Sequence, residues 1–322
     1  MPLSGLQIYK LLPKTNCKDC GLPTCLAFAM KLAAKQMELA ACPHVGAEAK
    51  AQLADASEPP VRLITLKPSA KIAGGRELKS GNETVLFRHE KTFINKPGMF
   101  LRVHDNEPIA SIQARVAAVE AYSVRYVGMD LTLDGFAVQA EAPLDATRFA
   151  SVVSAVRAAS KRPMILIAPD AAVMSAGLKA IEGDNALIHG ATAVNYEAMA
   201  ALAKQYHSAL VACADTLDGL ADLTNKIKAK GVDDLVLDPT SRQLGASLTR
   251  QTQIRRLALK KDFRPLGYPI IAFPGDAAPD QEALQAAQAI AKYAGFIVLE
   301  RFAPEMVYPL LVLRENIYTD PQ

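Results

Sequence analysis

From residue 61 onward the chain alternates short, wholly apolar runs with longer stretches in which apolar residues recur every three or four positions. The runs predict strands at Val61–Leu66, Thr84–Phe87, Met99–Val103, Tyr126–Leu131 with Phe136–Val138, Pro163–Ala168, Ala186–His189, Ala209–Ala214, Leu235–Leu237, Ile270–Phe273 and Phe296–Glu300. Turns at Gly74-Gly75 and Gly81-Asn82 separate the first two. The periodic stretches predict helices at Ile109–Tyr122, Asp145–Ser160, Ala171–Ile181, Tyr196–Tyr206, Leu220–Lys230, Leu244–Lys261, Gln281–Ala294 and Met306–Tyr318. A strand that is apolar throughout has no solvent face, so this alternation implies an α/β fold with a parallel sheet covered by helices. About eight such units in about 250 residues is the size of a TIM (β/α)8 barrel. An open doubly wound sheet is the alternative, but no G-x-G-x-x-G or Walker loop favours it.

Residues 1–58 break the pattern and carry Cys17, Cys20, Cys25 and Cys42, spaced C-x2-C-x4-C-x16-C. Thiolates are soft ligands for iron-sulfur clusters, zinc or monovalent copper, and four at short separations can surround one centre. Structural zinc usually takes two close pairs, whereas here only Cys17 and Cys20 form one. A proline directly after the last ligand, as in Cys42-Pro43, recurs in bacterial cluster-binding runs. The spacing therefore favours a 4Fe-4S cluster, with zinc, a disulfide or plain thiols as alternatives.

Thr24 is a plausible N-cap, and Leu26, Ala29, Met30 and Ala33 recur at helical spacing, so Cys25 falls in a first turn whose positive end favours a thiolate. An unbroken helix from Cys25 to Cys42 would hold the two about 25 Å apart, too far to share a cluster. A helix ending near Ala34 rises about 14 Å, and the seven residues 35–41 can span about 23 Å to return. The expected shape is a short helix and a chain that doubles back. A unit this small cannot hold itself together by its core, and a cluster would supply the missing stability. Glu48–Pro60 (EAKAQLADASEPP) reads as a helical tail and a linker, able to let the module move relative to the rest. The resulting division is 1–58, a 4Fe-4S domain with its linker, and 59–322, the barrel.

With 322 residues, half of them hydrophobic, the chain can bury a sizeable core. Its formal charge is +3, from 36 basic and 33 acidic side chains that are interspersed, so nothing calls for nucleic acid. Residues 1–10 lack a secretory pattern, and no apolar run reaches about 18 residues, so neither secretion nor a membrane is signalled. The chain reads as cytoplasmic, where clustered cysteines are metal ligands more often than disulfides. Cys213 lies in the apolar run Ala209–Cys213 and reads as a small buried hydrophobe.

Chemistry in a barrel sits at the C-terminal ends of its strands. The polar residues there are His104, Asp105, Asp130, Asp170, His189 with Asn195, Asp215, Asp238 with Thr240, and Asp276. Asp170 and Asp215 read as helix caps, Asp238–Ser241 as a turn and cap, and His104 and His189 as hydrogen-bonded structural histidines. No nucleophile, paired acid or phosphate loop emerges.

The N-terminal run PLSGLQIYKLLPK, continuing into NCKDCGLPTCLAFAM and then ACP, resembles the large (gamma) subunit of the corrinoid iron-sulfur protein of the reductive acetyl-CoA (Wood-Ljungdahl) pathway. The barrel stretch Asn185–Asn195 (NALIHGATAVN) is a looser match. The resemblance implies a small 4Fe-4S domain with ligands Cys17, Cys20, Cys25 and Cys42, a TIM barrel and a corrinoid-binding domain. It also implies pairing with a smaller barrel subunit. The cobalt(I) corrinoid would accept a methyl group from methyltetrahydrofolate through a separate methyltransferase and pass it to acetyl-CoA synthase/CO dehydrogenase. The cluster, served by a redox activator, would return cobalt(II) to cobalt(I). This chain stops at Asp320-Pro321-Gln322, where the family continues, so the expectation is a cut linker, and the corrinoid would be held mainly outside these residues. Two other readings stay open. One is a barrel methyltransferase that binds a methylated pterin through Asp170, Asn195 and Asp238; the other is a zinc-stabilised binding module.

Overall fold

The computed structural model describes residues 4–318 apart from 34–35, 38, 47–48, 51–52, 54–58, 88–92 and 94. Helices α1 (Gly5–Leu11) and α2 (Cys25–Ala33) form the N-terminal part, and a single helical turn, Leu39–Ala41, precedes Cys42. Ser4 and Gln7 form a reciprocal capping box that starts α1. The predicted tail and linker, Glu48–Pro60, lies largely outside the described residues.

A two-stranded antiparallel ribbon follows, β1 (Ile64–Leu66) with β2 (Leu78–Ser80). The expected strand Thr84–Phe87 does not form, and the partner of the first strand lies earlier. Gly81 and Asn82 both take positive φ, and a Cβ on Gly81 would stand 2.0 Å from the Arg62 carbonyl oxygen, so the chain turns away before Thr84.

Eight parallel strands then close on themselves. In chain order they are β3 (Gly98–His104), β6 (Gly135–Gln139), β7 (Met164–Ile167), β8 (Leu187–Ala191), β9 (Ala209–Cys213), β10 (Leu235–Asp238), β11 (Ile271–Ala272) and β12 (Phe296–Leu299). The last pairs with the first, and a bridge between Leu237 and Ile270 joins β10 to β11. Eight helices cover the outside: α3 (Ile109–Ala121), α4 (Ala146–Ala159), α5 (Ala171–Ala180), α6 (Tyr196–Tyr206), α7 (Leu217–Ala229), α8 (Leu244–Lys261), α9 (Pro279–Ala291) and α10 (Pro304–Tyr318). This is the TIM barrel that the alternation implies. The hairpin β4 (Val124–Tyr126) with β5 (Met129–Leu131) is an excursion between α3 and β6. Among the described residues no helix is long and apolar enough to cross a membrane.

Side chains alternate across each strand, and the core divides accordingly. Met99, Leu101, Val103, Phe136, Val138 and Leu166 face the helices, whereas Phe100, Ala137, Ile165, Leu187, Val211, Val236, Phe296 and Val298 fill the barrel. Ile64 and Leu66 of β1 belong to that inner cluster and stop the N-terminal end of the barrel. Backbone hydrogen bonds fix the stopper: Lys67 and Asn185 exchange two, and the Arg62 N–H donates to the Gly267 carbonyl.

Candidate functional site

Followed further along β3, β6, β8, β9, β10 and β12, the inward register leaves the apolar filling and reaches the C-terminal mouth. There it presents Arg102, His104, Gln139, His189, Cys213, Asp238 and Glu300. The Arg102 guanidinium donates to Glu300 (2.7 Å), Asp276 (2.6 Å) and Gln139 (3.1 Å). Arg242 bridges Asp276 (2.8 Å) to Asp238, which it grips with two nitrogens at 2.9 and 2.7 Å. His104 is held between Glu141 (2.6 Å) and Glu300 (2.9 Å). His189 Nε2 lies 2.8 Å from Asp238. The ion pairs thus run continuously from His104 across the mouth to His189.

Burial alone would raise the Glu300 carboxyl, but His104 and Arg102 outweigh it and hold the group at about 2. Burial also works against ionisation of Asp238, yet Arg242 and His189 keep it well below the usual carboxylate range. Glu300 raises the His104 imidazole above its ordinary value, and Glu141 adds to this against burial. Positive and negative groups balance across the mouth, each ion-paired with a neighbour. A cleft of about 830 Å³ lies at the opposite end, lined by Lys67, Lys179, Asp184, Asn185 and His207 among others.

The cysteine module is built differently. Its helix α2 ends at Ala33, as the spacing argument requires, and the turn at 39–41 returns the chain. Cys25 and Cys42 are both buried in one small core with Ile8, Leu12, Phe28, Ala29, Leu32 and Val45, and Cys20 packs against it. Cys17 is exposed. Thr24 caps α2 by accepting the Ala27 N–H at 3.1 Å. Asn16 and Cys25 exchange two contacts: the Cys25 N–H donates to Asn16 Oδ1 (2.8 Å), and the Asn16 N–H donates to Cys25 Sγ (3.4 Å). Lys14, Asn16, Lys18 and Gly21 all take positive φ, so the loop winds tightly round its cysteines. Asp19 and His44 pair at 2.5 Å and tie the Cys17–Cys20 loop to the segment after Cys42. His44 first, and then Cys17, hold the Asp19 carboxyl below its usual range. None of the five cysteines is in a disulfide.

Several sequence expectations take a definite place here. Asp170 caps α5 by accepting the N–H groups of Ala172 and Val173. The cap of α7 is Thr216, not Asp215, because the helix starts three residues before the predicted Leu220. Asp130 lies on the exposed β4–β5 hairpin, paired with Arg125, so it is not at a barrel strand end. Asn195 is used within its own loop, bonding Thr192 and Gly190, and ties that loop to the preceding one through the Pro169 carbonyl. Asp238 accepts the Thr240 N–H, as a turn residue would, but it is also fully buried under Arg242. Arg102, Glu141, Arg242 and Glu300 went unnoticed in the sequence. Arg102 could have been found, since a charged residue interrupting the apolar strand MFLRVH must face something specific.

A family profile for the CO dehydrogenase/acetyl-CoA synthase delta subunit matches residues 71–322, and an Fe-S cluster profile matches residues 12–44. The corrinoid/iron-sulfur protein large subunit of Moorella thermoacetica is 42% identical, over 100% of this chain and 71% of that protein. The acetyl-CoA decarbonylase/synthase complex subunit gamma 1 of Methanosarcina mazei is 35% identical over 99% of this chain and 71% of its own length. Among solved structures, dihydropteroate synthase from Xanthomonas albilineans in complex with 7,8-dihydropteroate aligns with a TM-score of 0.51 at 16% identity. That alignment covers 70% of this chain and 95% of the other. The Thermus thermophilus enzyme gives 0.51 at 18% identity, covering 70% and 94%. At such identities the likeness is one of barrel fold alone.

Proposed function

Because the chain belongs to the family of corrinoid/iron-sulfur protein large subunits and acetyl-CoA decarbonylase/synthase gamma subunits, we propose that Cys17, Cys20, Cys25 and Cys42 hold one 4Fe-4S cluster and that the chain is the electron-delivering subunit of a methyl-carrier assembly. The large-subunit relatives weigh more than the delta-subunit profile, since their match runs through the cysteine module as well as the barrel. The working division is residues 1–58 for the cluster unit and 59–322 for the barrel, supported by the separation of the two buried cores.

The observation that carries this reading is the burial of Cys25 and Cys42 in one small core with Cys20 against it, three sulfurs among apolar side chains, while Cys17 lies exposed beside Asp19 and His44. The Asn16 N–H aimed at Cys25 Sγ is the kind of hydrogen bond that tunes a cluster's potential. Bound there, a 4Fe-4S cluster supplies one-electron transfer, the chemistry needed to return an inactive cobalt(II) corrinoid to cobalt(I). The four cysteines would hold that centre, the core around Phe28 buries two of them, and the Asp19–His44 pair fixes the Cys17–Cys20 loop. At the barrel mouth the polar side chains are ion-paired with one another.

The assembly would comprise this chain and the small barrel subunit. A methyltetrahydrofolate:corrinoid methyltransferase would deliver the methyl group, acetyl-CoA synthase/CO dehydrogenase would receive it, and a redox activator would supply electrons. Direct binding of a methylated pterin by this barrel is the weaker reading, because two of its three candidate residues, Asp170 and Asn195, spend their side chains on a helix cap and on loop hydrogen bonds. The test is reductive activation of the anaerobic assembly, wild type against Cys42→Ser. The variant should fail to regain cobalt(I) from a protein reductant yet transfer methyl groups normally once reduced by a strong chemical reductant. Equal reactivation of both would remove the electron-delivery role.

A further inference from the structure

His189, Cys213 and Asp238 stand at the upper ends of three consecutive strands, β8, β9 and β10. A ring nitrogen, a sulfur and a carboxylate oxygen from the three lie within 4.8 Å of one another. Asp238 is fully buried, and the other two are mostly so. Asp238 Oδ2 is 2.8 Å from His189 Nε2, and Cys213 Sγ is 3.5 Å from that same nitrogen.

The shared nitrogen decides between two arrangements. A nucleophile relay places the thiol on one ring nitrogen of the histidine and the carboxylate on the other. Here both face Nε2, so the three donors converge on one point, as ligands round a cation do. Their surroundings hold them there. The Phe273 ring packs edge-on against His189 with centroids 5.0 Å apart. Arg242 and the Thr240 N–H grip Asp238, as outer hydrogen bonds orient metal-binding carboxylates. A bulge between His189 and Ala191, made at Gly190 with φ +130°, sets the direction of the histidine.

We propose that His189, Cys213 and Asp238 form a second metal site, separate from the cysteine module, which takes a divalent transition ion of zinc's borderline softness. The nitrogen, sulfur and oxygen donor set suits zinc, and three protein ligands leave a coordination position for water, as in reactive rather than structural zinc sites.

The experiment uses the full chain, isolated anaerobically, incubated with zinc chloride and dialysed. Wild type should retain about one more zinc per chain than Cys213→Ser or His189→Gln, with equal iron in all three. Zinc taken by the N-terminal cysteines would add equally to each protein, so the difference isolates the barrel mouth. On wild type alone, zinc should slow alkylation of Cys213 by about tenfold or more, because a metal-bound thiolate is a poor nucleophile. The readout is the tryptic peptide 205–226, in which Cys213 is the only cysteine. Equal zinc in wild type and both variants, or alkylation of Cys213 indifferent to zinc, overturns the site.

Discussion

The barrel is stabilised by buried area: Phe100, Phe136, Phe149 and Phe296 are all fully buried, and two apolar layers back each other through every strand. Among the described residues the cysteine module packs Phe28 as its one fully buried aromatic, with Tyr9 against it and a few aliphatic residues around, and two of its buried side chains are thiols. A core of that size stabilises little, and buried thiols contribute least unless they bind something. The difference teaches where metal is needed. The barrel has a core large enough to fold on what the chain itself supplies, whereas the module is expected to depend on a bound metal centre.

The largest expected effect separates the two. Chelating the iron, or making Cys25→Ser, should remove metal-linked folding energy on the order of 10 kcal/mol from the module alone. Hydrogen exchange would then lose protection across residues 5–33 and keep it in β3–β12; loss in both regions would break the comparison. Conversely, Phe100→Ala empties the centre of the barrel and should cost about 4 kcal/mol of barrel stability. Thermal melting would report this, with the iron content unchanged.

Glu300→Gln probes the ionic mouth and should cost on the order of 3 kcal/mol at neutral pH, since the carboxyl held at about 2 lies well below its ordinary 4.5. Its folded-state value is depressed, so this contribution is present above pH 4.5 and is lost as pH falls toward 2; the variant should lack that part of the acid slope in denaturant titrations. His104 has the opposite sign: raised above its ordinary 6.5, it stabilises below pH 6.5, and that contribution fades as pH climbs past it. Gly190→Ala would put a Cβ 2.5 Å from the Ala168 carbonyl oxygen at a positive φ, costing about 2 kcal/mol by urea denaturation. Asp170→Ala removes only the cap of α5, and about 1 kcal/mol should go.

The barrel was legible because its strands are apolar on both faces and its helices periodic; α6 and α8 begin and end where the pattern places them. The hairpin at the bottom was half-seen. Its second strand, Leu78–Ser80, is too short and too polar to carry a period-two signal, while Thr84–Phe87 is apolar yet lies beyond the turn at Gly81-Asn82. The cysteines were visible by spacing alone, and the early end of α2 followed from the reach of the chain. The mouth was not, because its ion pairs join residues far apart, such as Arg102 with Glu300 and Arg242 with Asp276, which only barrel closure brings together. Cys213 looked like one more small apolar residue of its strand; its neighbours His189 and Asp238 come from other strands.

The most direct test of the central claim is the absorption spectrum of the anaerobically isolated chain before and after dithionite, with iron and zinc counted on the same sample. The account predicts a broad visible absorption that bleaches on reduction, with about four irons per chain, absent from Cys25→Ser. A colourless protein with zinc in place of iron on the four cysteines would contradict it and leave the module a structural metal domain.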